Sequence, residues 1–336
     1  MNRDAFFAAA DALPAARLSD LLGEGGAVVV APHPDDESLG CGALLREAVA
    51  AGRPVRIVFV SDGTGSHPNS QGYPADRLRA LREGEAQAAM AALGVSSSQI
   101  EFLRLPDRAV PSSGDEAERA SVAIANAAAK ARAGVIFVTW RHDAHGDHQA
   151  AYAIARLAQR RRSARLFEYS IWGRGAELDR EPEGPPLGWR LPSSKHRERK
   201  RAAILSHRSQ VSRLIDDDPE GFLLPRAMIE DILARDELFS RWTRDDGFAR
   251  ARLFRGPLCE RRRSLALRNE RVRTGEIRRN SRGASEGALC ERTRNRLLDR
   301  HPHAPAGRPV RSPPCNGHRG RTAARSSPSL GRRAMG

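Results

Sequence analysis

The stretch Val28-Val29-Val30-Ala31-Pro32-His33-Pro34-Asp35-Asp36-Glu37 decides how the chain is read. A run of small and β-branched apolar residues predicts a buried strand, which two prolines bracketing a histidine bring to an end. Three acidic residues follow at once. Unpaired carboxylates are costly to bury, so an acidic turn beside an imidazole at a strand's end points to a divalent cation.

Outward from this turn the chain alternates. Residues 3–22 predict a helix that stops near Gly23 to Gly26. After the turn come a helix from about Ser38 to Ala51, a buried strand from Pro54 to Ser61, and a Gly/Ser/Asn/Pro-rich loop from Asp62 to Pro74. A helix from Ala75 to Leu93 with Gly94 as its stop precedes a strand from Ile100 to Leu105. A helix from Asp115 to Ala133, a strand from Val135 to Trp140, a helix from His148 to Arg161 and a strand from Leu166 to Trp172 complete the pattern. Short apolar strands alternating with longer helices predict an α/β fold, a Rossmann-like and mainly parallel sheet flanked by helices. Residues 182–192 read as a loop with one added strand, Lys195 to Arg213 as a helix, and Pro219 to Arg241 as one or two further helices.

The pattern fails near residue 251. Residues 251–336 hold about 22 arginines, no lysine and about 6 acids, so most of the net charge of +15 belongs to them and residues 1–250 come to about −1. Lacking periodicity and large apolar residues, this stretch cannot bury enough surface to offset its ordering entropy, and it is read as a disordered basic tail. The organisation expected is an N-terminal helix (1–25), a catalytic domain (26–250) and the tail (251–336). As a functional arm, the tail predicts phosphate binding without sequence preference and steep salt dependence. It has only Phe254 for stacking on bases. An unselected extension, such as a shifted reading frame in GC-rich coding DNA, explains the same composition.

Three of the four cysteines (Cys41, Cys259, Cys290, Cys315) lie in the tail, at spacings that match no zinc knuckle or disulfide framework. A reducing, cytoplasmic location is the expectation. No stretch approaches the roughly 20 apolar residues of a membrane span.

The acidic turn lies at the carboxyl end of a strand, where ligands bind in a parallel sheet. His33 and Asp36 are three residues apart and can face the same way on a turn entering a helix. They make a sound pair of zinc ligands, but a catalytic zinc needs a third and an open position. A second cluster stands after another strand: Arg141-His142-Asp143-Ala144-His145-Gly146-Asp147-His148, where His145 and His148 repeat the three-residue spacing. Two such clusters, each directly after a buried strand, predict one metal site.

Pro32-His33-Pro34-Asp35-Asp36-Glu37, with Asp143 and His145-Gly146-Asp147-His148, resembles the PIG-L/LmbE family of zinc-dependent N-deacetylases, over roughly residues 26–215. The resemblance implies His33, Asp36 and His148 as zinc ligands and Asp35 as the general base. It further implies His145 as the group that stabilises the tetrahedral oxyanion and Asp147 as the carboxylate that holds His145. Arg82 and Asp107 match positions near the family's substrate. The implied activity is removal of an acetyl group from an N-acetylglucosamine-type conjugate, a small-molecule or glycoconjugate substrate. Zinc is the implied cofactor, although Fe(II) or Co(II) suits the same ligands. Glu37 is expected to cap or orient the turn, Cys41 to be a core thiol, His142 to be exposed, and His207 and Gln210 to be structural. Two alternatives stand beside this reading: nucleic-acid binding through the tail, and a relative that binds sugar without hydrolysis.

Overall fold

The computed structural model of the chain describes residues 1–175 and 180–241, so the arginine-rich tail and its expected disorder lie outside the described residues. Seven strands form one sheet: β1 (Gly26–Ala31), β2 (Val55–Ser61), β3 (Ile100–Leu105), β4 (Ala133–Thr139), β5 (Arg165–Tyr169), β6 (Leu187–Leu191) and β7 (Glu237–Arg241). Their spatial order is β3, β2, β1, β4, β5, β7, β6. β1 to β5 pair in parallel, while β7 runs antiparallel to both β5 and β6. The expected mainly parallel α/β fold is what the chain forms.

The helices are α1 (Arg3–Asp11), α2 (Leu18–Leu22), α3 (Asp36–Ala50), α4 (Ala75–Leu93), α5 (Gly114–Lys130), α6 (Gly146–Arg162), α7 (Arg197–Ser206), α8 (Arg208–Val211) and α9 (Arg226–Ala234). Alternate residues of each strand face opposite sides of the sheet. Ala27, Val29 and Ala31 therefore pack with Leu44 and Leu45 of α3 and Met90 of α4. Val28 and Val30 pack with Ile124 of α5 and Ile154 of α6. Burial on both faces explains why β1 reads as an unbroken apolar run.

The strand order reverses between β1 and β4: β2 and β3 continue to one side of β1, and β4 begins the other. At such a switch point the loops leaving adjacent strands diverge and open a crevice at the carboxyl ends. The acidic turn leaves β1 and the histidine-rich loop leaves β4. Chain crossover therefore brings the two motifs together.

Three expectations need correction. Residues 3–22 are two helices, because Pro14 lacks the N–H that a continuing helix requires. The expected helix over Lys195–Arg213 breaks at His207 (φ −80°, ψ 60°) and has ended by Ser212. The C-terminal end of the expected helical region Pro219–Arg241 is β7, whose alternating Glu237, Phe239 and Arg241 side chains follow a period of two.

Candidate metal centre

The two motifs meet in a buried cluster. His33 Nδ1 lies 3.2 Å from Asp36 Oδ2, His148 Nε2 lies 3.3 Å from the same oxygen, and the two nitrogens are 3.3 Å apart. Ligands of a tetrahedral zinc with bonds of about 2.0–2.1 Å stand about 3.3 Å from one another, so the triangle matches three corners of such a site. The far nitrogens complete the test. His33 Nε2 is 3.2 Å from both Asp107 Oδ1 and Asp147 Oδ2, and His148 Nδ1 is 3.5 Å from Asp143 Oδ2. The carboxylates behind His33 Nε2 hold a proton there and turn the Nδ1 lone pair toward Asp36. Asp143 stands behind His148 at ion-pair distance without a hydrogen bond to its Nδ1. Two nitrogens and one carboxylate, all buried, fit a divalent cation. His145 also has a nitrogen within 4.8 Å of those of His33 and His148, and Asp107 and Asp147 form a second group with His33. In the His33, Asp36, His148 triangle all three separations are 3.2–3.3 Å.

Charges in the cluster answer one another. Burial disfavours charge on His148, but the Asp36 and Asp143 carboxylates overcome it and raise its pKa to about 9. Burial likewise opposes a charged His33, and Asp107, Asp147 and Asp36 together hold its pKa well above the ordinary value. Asp36 is itself drawn down, because His148 and His33 outweigh its burial.

Asp35, expected as the base, sits at the N-terminus of α3 with φ 151° and ψ −29°, a conformation costly for any residue with a Cβ. Its N–H donates to Glu37 Oε2 at 3.0 Å. Glu37 Oε1 in turn accepts from Ser38 Oγ at 2.7 Å and lies 3.1 Å from His207 Nε2. Glu37 and His207 therefore brace the turn from behind. Burial pushes the Asp35 carboxyl up to about 6, with Arg82 opposing the rise.

Three expected roles change. Asp147 does not hold His145 through its carboxylate. That carboxylate faces His33 and accepts N–H bonds from Arg108 at 2.6 Å and Val110 at 3.1 Å. The link to His145 is the Asp147 backbone N–H, which donates to His145 Nδ1 at 3.2 Å. Asp107 is committed to His33 and to the Gly65 N–H at 2.8 Å, so it positions the His33 ring. Arg82 donates to the carbonyls of Gly63 (2.8 Å) and Pro34 (2.9 Å) and lies 3.4 Å from Asp35 Oδ2. It fastens Asp35 and the turn around it. Both residues do line the pocket. His142, expected to be exposed, is 8% exposed.

Some site residues escaped the sequence reading. Asp143, quoted there without a role, accepts the N–H groups of Ile171 and Trp172 and so ties the β4 loop to the end of β5. Trp172 and Phe222, edge to face at 5.8 Å, form an aromatic wall. Loop residues at the ends of unpaired segments carry no periodic signal that could have marked them.

The pocket over the cluster measures about 230 Å³ and is lined by His33, Asp35, Asp36, His145 and the aromatic wall. A larger cavity of about 680 Å³ between α1 and α9 shares Leu39 and Trp172 with it but none of the histidines. The polar convergence, not the volume, identifies the site.

Comparison with known proteins supplies the context. Residues 28–159 match the family model described as GlcNAc-PI de-N-acetylase, PIG-L. Among solved structures, a conserved protein from Thermus thermophilus is 25% identical, covering 64% of this chain and 93% of its own, with a TM-score of 0.47. An N,N'-diacetylchitobiose deacetylase from Pyrococcus horikoshii is 19% identical, covering 66% and 86%, with a TM-score of 0.47. The A40926 pseudoaglycone deacetylase Dbv21 is 19% identical, covering 64% and 95%, with a TM-score of 0.46. No curated protein matches the chain. The stretch from β1 through α6, which carries both motifs, is the part of the chain that matches the PIG-L family model, over residues 28–159.

Proposed function

We propose that the protein is a metal-dependent N-deacetylase that removes an acetyl group from an N-acetylated amino sugar of the N-acetylglucosamine type. The observation that carries this reading is the triangle of His33 Nδ1, Asp36 Oδ2 and His148 Nε2, with the Asp35 carboxylate beside it in one pocket. A divalent cation held there, zinc being the best fit to two nitrogens and a carboxylate, supplies Lewis-acid activation of water and of the amide carbonyl.

The chain's own residues do the rest. Asp35 accepts the proton of the attacking water, a task suited to a carboxyl poised near 6. His145 Nδ1 accepts the Asp147 N–H, which leaves Nε2 as the protonated nitrogen and a donor to the developing oxyanion. Collapse of the tetrahedral adduct breaks the C–N bond, and Asp35 returns its proton to the departing amine. Trp172, Phe222 and Leu39 exclude bulk water from one side of the pocket.

The test is acetate release from N-acetylglucosaminides by zinc-loaded protein, with metal content measured in parallel. Asp35→Asn should retain the metal and lose at least 100-fold in kcat, because general-base catalysis contributes about 10²–10⁴-fold. A protein that takes up no metal, or an Asp35→Asn variant of undiminished activity, refutes the reading.

A further inference from the structure

Two arginines line the pocket, and the protein uses them differently. Arg82 is 3% exposed and spends its guanidinium on Gly63, Pro34 and Asp35. Arg108 is exposed, and among the described residues no carboxylate or carbonyl engages its guanidinium.

The backbone of Arg108 is nevertheless tightly specified. It sits in the turn closed by the Ala109 N–H on Pro106 O at 3.2 Å, with φ +65°, where a turn normally places glycine. Asp147 holds it there by accepting its N–H at 2.6 Å. The side-chain stem lies directly on Gly65: a Cβ at Gly65 would come 2.6 Å from Arg108 Cδ and 2.7 Å from Cγ. A strained residue with a long side chain, packed at its stem and free at its tip, stands at the pocket wall. Strain of this kind persists where surrounding structure enforces it, commonly at ligand clamps.

The other charges of the pocket are already matched. Asp36 faces His33 and His148, Asp107 faces His33, and Asp35 faces Arg82. The unmatched charge is the Arg108 cation, on a body of almost no net charge. We propose that Arg108 is a substrate ligand, and that the substrate carries an anionic group, a phosphate or a carboxylate, close to the N-acetyl group that is removed. The proposal rests on the deacetylase reading and narrows its substrate class. The planar guanidinium suits either anion, since both present paired oxygens.

The experiment compares zinc-loaded wild type, Arg108→Gln and Arg108→Gly on three probes: methyl N-acetylglucosaminide, N-acetylglucosamine 1-phosphate, and an N-acetylglucosaminide with a carboxylated aglycone. The wild type is expected to favour at least one anionic probe over the neutral one by about 10- to 100-fold in kcat/KM, the range of a charge-assisted hydrogen bond. The preference should shrink as salt is raised and collapse toward unity in both variants. The response of the two anions identifies which one the site takes. Arg108→Gly relieves the positive φ, so it should melt no lower than wild type while losing the preference, a combination that a structural role for the side chain does not produce. Equal kcat/KM on all three probes, or a preference that survives in both variants and so places the anion elsewhere, overturns the assignment. Should none of the probes be deacetylated, the deacetylase reading fails by itself. Calorimetric binding of the same probes to wild type and Arg108→Gln then decides the anion site independently.

Discussion

His33 Nε2 has one proton to donate and two carboxylates at 3.2 Å to receive it, Asp107 and Asp147. Each is also anchored by the backbone, Asp107 through Gly65 and Asp147 through Arg108 and Val110. At Asp107 an Asn can keep its oxygen on the Gly65 N–H and turn its amide toward His33, removing one acceptor and leaving the other. At Asp147, where both oxygens accept backbone N–H groups, the amide also opposes the N–H of Arg108 or Val110, a cost that the melt reads apart from metal affinity. The single variants should therefore weaken zinc binding little, by about threefold or less, because the remaining carboxylate still orients His33. The double variant Asp107→Asn/Asp147→Asn leaves the buried N–H without an anionic acceptor. A hydrogen bond to a charged group contributes about 1.5–3 kcal/mol, so affinity should fall about 10- to 150-fold, in line with losses seen when carboxylates behind metal-bound histidines are removed. The assay is zinc competition against a chromophoric chelator, read without turnover and alongside a thermal melt to exclude unfolding. The coupling between the two changes is the diagnostic quantity. If the two single losses add up to the double loss, or if one single variant loses as much as the double, the two carboxylates are not interchangeable and the reasoning fails.

Further outcomes follow from the geometry. Lys200 and Glu237 are 2% and 3% exposed and 2.8 Å apart, so Lys200→Met should cost about 3–5 kcal/mol by leaving a buried carboxylate without its cation. Urea unfolding should show that loss, with Lys200→Met/Glu237→Gln recovering part of it. Arg82 lowers the pKa of Asp35 against the dominant effect of burial; because the base acts as a carboxylate, Arg82→Met should move the acid limb of the kcat/KM profile to higher pH, and an unmoved limb contradicts the assigned base. Burial, reinforced by Arg141, depresses His142 to about 4, so the unfolded chain binds this proton first as pH falls from about 6.5, stability declines toward pH 4, and His142→Gln should flatten the melting temperature over that window. Removing residues 251–336 should leave zinc binding and acetate release intact; loss of folding would show that the domain extends further.

The fold was largely legible because its inner strands are buried on both faces. Val55 to Ser61 stands almost as its apolar run predicts. The meeting of His33, Asp36 and His148 was legible for a different reason, since no apolar core tolerates Asp36 and His148 without a partner. The antiparallel part of the sheet was not. In β7 only five residues alternate, directly after the amphipathic α9, so the helical pattern ran on into it. The roles of Asp107, Asp147 and Arg82 were hidden because a carboxylate or guanidinium near a pocket reads the same whether it faces a ligand or braces a neighbour. Only the distances to His33, Gly63 and Pro34 separate the two.

The Glu237 carboxylate reaches the middle of α3, where its oxygens accept the N–H groups of Ala43 at 2.7 Å and Leu44 at 2.8 Å. Those partners lie 194 and 193 residues apart in the chain, and α3 is the helix that begins at Asp36. On the ribosome the first motif emerges early, yet the acceptor that completes its helix is among the last described residues to be made. Contacts of such long sequence separation form late and slow folding. Helix α3, which carries Asp36, is therefore expected to stay unfinished until β7 has been synthesised, so that the sheet assembles first and any ion bound at Asp36 follows.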